Sequence, residues 1–286
     1  MKLIKYFFEF IFIITFFFIF KIIGYKNSIS LGEIIGKKIG PFFRNNTKIQ
    51  KNLENSNIGN SYEEREIIIN DMWGNYGKIF AEYIFMKKFR ESNSMRNIEI
   101  IGQDILDRIK ENNKPVIFIS GHFNNFELMA MHLEKSDIDL AAIYRPLNNK
   151  FLNPIMERIR KKFICKKQIK KGISGTKEIL KYFKTGTSIA LMVDQRVSEG
   201  ISCNFFNRKA LTTTIPAQFV KKFNCKIVPV YIERIKQDKF RLEIYKPLEF
   251  SKAENIETIT ANINKIIEEM VKKNPAQWIW THNRWK

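Results

Sequence analysis

His122 is one of only three histidines in 286 residues, and it opens the stretch HFNNFE at 122–127, directly after an apolar run at 115–120. An imidazole oriented by a carboxylate can act as a general base, taking a proton from a hydroxyl nucleophile. Glu127 is the nearest carboxylate in sequence. In a continuous helix two residues five apart are turned from each other by about 140°, so their side chains diverge. The pair can meet only if His122 sits in a turn ahead of a helix and Glu127, in its opening turns, reaches back. Gly121 permits a sharp turn just before the histidine, and Asn124 and Asn125 suit the cap of the helix. Spacing alone is weak, since His and Glu five apart are common by chance; the strand-then-turn setting gives the pair its weight. His132, further along the same predicted helix, reads as a packing or surface residue, and His282, in a C-terminal aromatic cluster, as structural.

The elements that must position this pair alternate. Strands are predicted at 116–120, 140–144, 188–193, 227–235 and 240–245, and a short one at 98–101. Helices are predicted at 67–89, 104–111, after His122, and near 153–163, 176–183, 216–223 and 256–273. The alternation argues for an α/β fold, a central mixed sheet flanked by helices. Reactive groups in such sheets gather beyond the strand ends. Two further polar clusters fall there: YRPLNN at 144–149 and DQR at 194–196. Arg145 can bind a phosphate bidentately or neutralise an oxyanion, against the plainer reading of a surface ion pair. Asn148 and Asn149 can shape the same loop. Asp194, Gln195 and Arg196 either line the site or hold loops together. No paired spacing suggests a metal site.

The three cysteines (Cys165, Cys203, Cys225) are widely separated and odd in number, which fits a reducing compartment. The formal charge of +20 admits three readings: nucleic acid, an anionic membrane with acidic or phosphorylated partners, or a compositional bias toward Lys, Asn and Ile. The basic residues read as spread through the chain, and no nucleic-acid motif is present, so no nucleic-acid partner is expected. The N-terminus favours the membrane. Residues 10–20 (FIFIITFFFIF) are uncharged but span only about 16 Å as a helix, short of the roughly 30 Å hydrocarbon core. Residues 3–24 suffice if Lys5, Glu9 and Lys21 lie near the interfaces. No small-x-small cleavage site follows, so a retained anchor is expected over 1–25, spanning or deeply embedded. A catalytic domain is expected over 26–286, its first forty residues forming short helices along the membrane surface.

With these residues in place, the chain resembles the bacterial lipid A biosynthesis acyltransferases of lauroyl and myristoyl type, within the glycerolipid acyltransferase-like group that shares a His-x-x-x-x-Asp/Glu motif. GHFNNFE at 121–127 is similar to the family's Gly-His-Phe-Gly-Asn-Trp-Glu, with Asn124 for Gly and Phe126 for Trp. YRPLNN at 144–149, TGTSIALMVDQR at 185–196, FFNRKALTTTIPA at 205–217 (Asn207 where Gly is usual) and NPAQWIWTHNRWK at 274–286 follow in order. The Asn-Leu pair at 52–53 and Glu82 also fall where the family has them. The resemblance implies transfer of a fatty acyl group from acyl carrier protein to a hydroxyl of a phosphorylated lipid A precursor, at the cytoplasmic face of an anionic inner membrane. It implies His122 as general base, Glu127 as its orienting partner, no cofactor beyond the acyl thioester, and no covalent enzyme intermediate. A lysophospholipid or other glycolipid acceptor, with acyl-CoA or acyl carrier protein as donor, is the alternative.

Overall fold

The apolar runs become strands buried on both faces. β2 (Ile117–Ser120) is buried at every position, as is most of β5 (Ser188–Met192), the pattern of parallel strands covered by helices on each side. With β1 (Ile98–Ile101), β3 (Leu140–Tyr144), β4 (Lys167–Lys170), β8 (Ile227–Lys236) and β9 (Lys239–Ile244), they form a seven-stranded sheet in the order β1-β9-β8-β2-β5-β3-β4. Strands β8, β2, β5, β3 and β4 run parallel, and β9 pairs antiparallel to β8. The sheet is therefore mixed, as expected. The computed structural model describes residues 2–91 and 97–286.

The parallel block decides where the site lies. The residues after β2, β5 and β3 leave the same edge of the sheet from adjacent strands, so the three polar clusters picked out in the sequence become neighbours. Helices α5 (Gln103–Asn112), α6 (Glu127–Lys135), α7 (Leu152–Ile159), α8 (Ile173–Lys184), α9 (Ile215–Phe223) and α10 (Ile256–Lys273) accompany the sheet, after two short helices earlier in the chain, α2 (Asn46–Asn55) and α4 (Met86–Glu91). A π-helical turn, Arg160–Ile164, continues α7.

Three features depart from expectation. First, α1 runs from Lys2 to Phe43, broken only by a non-helical Gly24 (φ 76°, ψ 169°), where short surface helices were expected after residue 25. The cause is packing against α3 (Tyr62–Glu82). Gly32, Gly36 and Gly40, four apart on α1, form a smooth face on which the two backbones touch. A Cβ at Gly77 would lie 1.8 Å from the Gly32 carbonyl oxygen, and one at Gly36 would lie 2.1 Å from that of Trp73. Second, β4 reads KQIK and gives no apolar signal, because it is the sheet's edge, where lysines discourage further pairing. Third, a separate hairpin of β6 (Ile201–Phe205) and β7 (Arg208–Thr212) turns through Phe206 and Asn207, both at positive φ (51° and 57°). The usual family glycine at 207 gives way to asparagine, which tolerates this region best among the other residues.

Candidate active site

Register brings His122 to its carboxylate. Ser120 of β2 pairs with Met192 of β5, and two residues further along each chain stand His122 and Asp194. Imidazole Nδ1 lies 2.8 Å from Asp194 Oδ1, and the His122 backbone N–H donates to Oδ2 at 2.9 Å. The Trp278 indole N–H donates to the same Oδ2 at 2.8 Å. The Asp194 side chain is 1% exposed. Burial alone would push its pKa up, but the His122 charge and these hydrogen bonds outweigh it and hold the carboxyl at about 2. An ionised carboxylate only accepts, so Nδ1 carries a ring proton, and in the neutral tautomer this leaves the lone pair on Nε2. The His122 ring, one-fifth exposed, packs edge-on against Phe126 at 4.8 Å between centroids. The arrangement is a histidine fixed in one tautomer with its basic nitrogen uncommitted, the requirement for a general base.

Glu127 does not occupy that place. It is the first residue of α6, and its carboxylate is taken by the 3-10 turn after α3 (Tyr83–Phe85) and the π turn: Arg160 Nε and Nη2 approach Oε1 at 2.8 and 2.7 Å, and the Tyr83 hydroxyl donates to the same oxygen. Arg160 Nη2 also donates to the Tyr83 oxygen at 3.1 Å. Burial disfavours the guanidinium charge, and Glu127 together with Tyr83 more than offsets this, so Arg160 stays firmly protonated. Its Nη1 is buried with no protein partner among the described residues. The expected reach-back of Glu127 to the imidazole thus gives way to two separate pairs, His122–Asp194 and Glu127–Arg160, at opposite ends of one six-residue stretch.

The backbone between them is held from beneath. Asn124 lies at positive φ (42°), which explains the family's glycine there, and its side chain makes contacts no glycine could. It donates to Asn75 Oδ1 (2.9 Å) and Gln277 Oε1 (2.8 Å) and accepts from the Asn125 N–H. Its own N–H donates to the Gln277 carbonyl at 2.8 Å. Asn125 Nδ2 donates to Glu82, which forms a fully buried ion pair with Arg234 at 2.7 Å. The C-terminal segment is therefore the floor of the loop. Asn52 fastens that segment by donating to the Trp280 and His282 carbonyls.

The other expected site residues divide. Arg196 braces chain ends: its Nε donates to the Lys286 carbonyl (3.0 Å), its Nη1 to Ser198, and its N–H to His282 Nε2. Asn149 is buried; it caps the start of α7 by accepting from the Phe151 and Leu152 N–H groups and donates to the Tyr6 carbonyl and Glu9 of α1. Arg145 and Asn148 are exposed and Gln195 is half-buried, with no side-chain bond to other protein groups among the described residues. Tyr83, Arg160, Trp278 and Arg234 were not singled out in the sequence. Only Trp278 carried a signal, its place in the terminal block; Arg160 is camouflaged by the RIRKK run around it.

The charge is less even than a reading along the whole chain suggests. Residues 145–184 hold thirteen Lys and Arg against two Glu, most of the basic ones exposed. Among the described residues no cluster of three His, Cys, Asp or Glu side chains converges as a metal site.

Comparison with known proteins points to acyl transfer. The palmitoleoyltransferase of lipid A biosynthesis from Escherichia coli is 26% identical over 262 residues, covering 90% of this chain and 84% of the relative. The lauroyltransferase of lipid A biosynthesis from the same organism is 23% identical over 266 residues, with 90% and 84% covered, and the myristoyltransferase 20% identical over 223 residues, with 77% and 68% covered. All three are named as acyltransferases. The family model described as bacterial lipid A biosynthesis acyltransferase matches residues 1–286, the whole chain. A sheet edge that presents an oriented histidine, and sequence matches from end to end, make this chain an acyltransferase belonging to the bacterial lipid A biosynthesis acyltransferase family.

Proposed function

We propose that the chain transfers a fatty acyl group from the thioester of acyl carrier protein to a hydroxyl of a phosphorylated lipid A precursor, at the cytoplasmic face of the inner membrane. The observation that carries this reading is the His122–Asp194 contact. With Nδ1–H on the carboxylate, Nε2 takes the acceptor's hydroxyl proton as the oxygen attacks the thioester carbonyl. The new C–O bond gives a tetrahedral oxyanion, which needs preorganised donors. Arg160, whose Nη1 has no partner among the described residues and which pairs with Glu127 at the end of the loop, is a candidate donor. Collapse breaks the C–S bond, and the departing thiolate recovers the proton from the imidazolium. Both proton transfers use one group, so direct transfer needs no covalent enzyme intermediate. Asp194 takes over the orienting role expected of Glu127, and Glu127 holds Arg160 in place.

The basic density at 145–184 supports an acidic carrier and a phosphorylated acceptor, since both are drawn to such a surface. Arg145, exposed at the same sheet edge, is the candidate for an acceptor phosphate. The test offers purified protein both carrier-protein and CoA thioesters with a lipid A precursor, a lysophospholipid and a glycolipid, and reads products by mass spectrometry. Acylated lipid A precursor formed from the carrier-protein thioester is the expected outcome. Product on the lysophospholipid alone overturns the acceptor, and product from CoA alone overturns the donor.

A further inference from the structure

The first half of α1 carries two stripes on opposite faces. Tyr6, Phe10, Ile13, Phe17 and Phe20 follow the 4-3-4-3 spacing of one helix face, and this face meets protein. Phe17 and Phe20 are buried against Phe80, Phe10 stacks on Phe151 at 6.0 Å, and the Tyr6 carbonyl accepts from Asn149 at 2.8 Å. The other stripe, Ile4, Phe8, Ile11, Thr15, Phe18 and Ile22, keeps the same period and is exposed throughout. Its single polar member, Thr15, satisfies its own hydroxyl on the Ile11 carbonyl at 2.9 Å, as a hydroxyl facing hydrocarbon must.

The exposed face does not stop at the helix. Phe7 packs edge-on against Phe151 at 5.8 Å, and Phe151 and Leu147, both exposed, belong to the loop after β3. That loop leaves the sheet edge that bears His122 and Asp194. Exposed cations rim the combined surface: Lys2, Lys5 and Lys21 on the helix, Arg145 and Lys150 on the loop. An apolar face bordered by snorkelling lysines and arginines fits one partner, a leaflet with anionic headgroups.

We propose that the first half of α1 and the 145–151 loop form one membrane-embedded face, seated in the leaflet next to the catalytic domain, so that α1 lies in the membrane without crossing it. The helix is long and apolar enough to span. A crossing, however, would carry Tyr6 and Glu9 to the far surface, away from Asn149, which the start of α7 holds in the domain. It would also strip Phe10 and Phe17 from their protein contacts for lipid contacts that are no more apolar. In-plane embedding keeps all of these and sets the His122 edge at headgroup depth, where a lipid acceptor reaches it by lateral diffusion. The proposal stands apart from the choice of donor and acceptor, and its failure would leave the acyl-transfer reading untouched.

The test places an environment-sensitive nitrobenzoxadiazole label on full-length protein at Leu3→Cys, Leu147→Cys or Phe151→Cys. A Cys225→Ser background serves for this, because Cys165 and Cys203 are buried. Protein is added from outside to preformed phosphatidylethanolamine–phosphatidylglycerol vesicles. Expected at all three positions are a blue-shifted emission, quenching by nitroxide-bearing lipids, and bleaching by external dithionite at similar rates. Protection of the Leu3 label from dithionite would show a crossing helix and overturn the proposal. Water-like emission at both 147 and 151 would remove the loop from the membrane. A blue shift without nitroxide quenching would show a second copy of the chain covering the face instead.

Discussion

The two ends of the 122–127 stretch use the same kind of pair to opposite purpose. At its start, a carboxylate from a neighbouring strand holds an imidazole whose other nitrogen is free. At its finish, one oxygen of a carboxylate is held by a guanidinium from the π turn and a phenol from the 3-10 turn after α3. Asp194 comes from 72 residues away and Glu127 from five, yet register in a parallel sheet delivers the distant one. Sequence spacing finds residues on one local element, whereas the partner that fixes a catalytic tautomer is set by which strands lie side by side. The comparison predicts different failures at the two ends.

The largest effect is expected at the first. His122→Ala removes the proposed base, and transfer should fall by about 10²–10⁴-fold, the usual worth of a positioned general base. Next, Glu127→Leu leaves Arg160 buried without its counter-ion, at a cost of about 3–5 kcal/mol read as a lowered denaturation midpoint. Adding Arg160→Met should restore much of that stability without restoring transfer. Recovery of both would make the second pair purely structural and would remove Arg160 from the chemistry.

His132 provides a control on α6 away from both pairs. Burial holds its pKa at about 4, below the ordinary 6.5. The unfolded chain therefore binds the proton first, and stability should drain away as pH falls from about 6.5 to 4, by about 3 kcal/mol in all. His132→Gln should flatten this slope in acid denaturation curves, leaving the smaller contribution of His282, whose pKa burial also lowers. The smallest effect belongs to the loop between the pairs. Asn124→Gly relieves a positive φ but loses its side-chain hydrogen bonds, a net loss of about 1 kcal/mol. A gain in melting temperature would mean that backbone strain outweighs those bonds.

Much of the fold was legible because buried parallel strands leave apolar runs that survive without context, as at β2, β3 and β5. Edge strand β4 and the hairpin β6–β7 were not, since neither is flanked by apolar neighbours on both faces. The second half of α1 was hidden because its signal is the spacing of Gly32, Gly36 and Gly40, which becomes meaningful only beside Gly77. In the site, His122 and the strand-end position of Asp194 could be read directly. Their contact could not, because it depends on β5 lying beside β2 ahead of β3 in the sheet order. Tyr83 showed only as one of the aromatics at helical spacing in 67–89 and Arg160 not at all, since their roles exist only where the 3-10 turn after α3 and the π turn meet Glu127.

The most direct measurement is the acyl-transfer rate of Asp194→Asn, with folding checked by its melting transition. Asparagine keeps the shape, but its single oxygen can accept either from Nδ1–H or from the Trp278 and His122 N–H groups, its amide meets a donor at the other place, and it carries no charge to stabilise the imidazolium. A folded protein whose transfer has fallen by about 10²-fold or more is expected. Transfer at the parent rate would contradict the assignment of Asp194 as the partner that makes His122 a base.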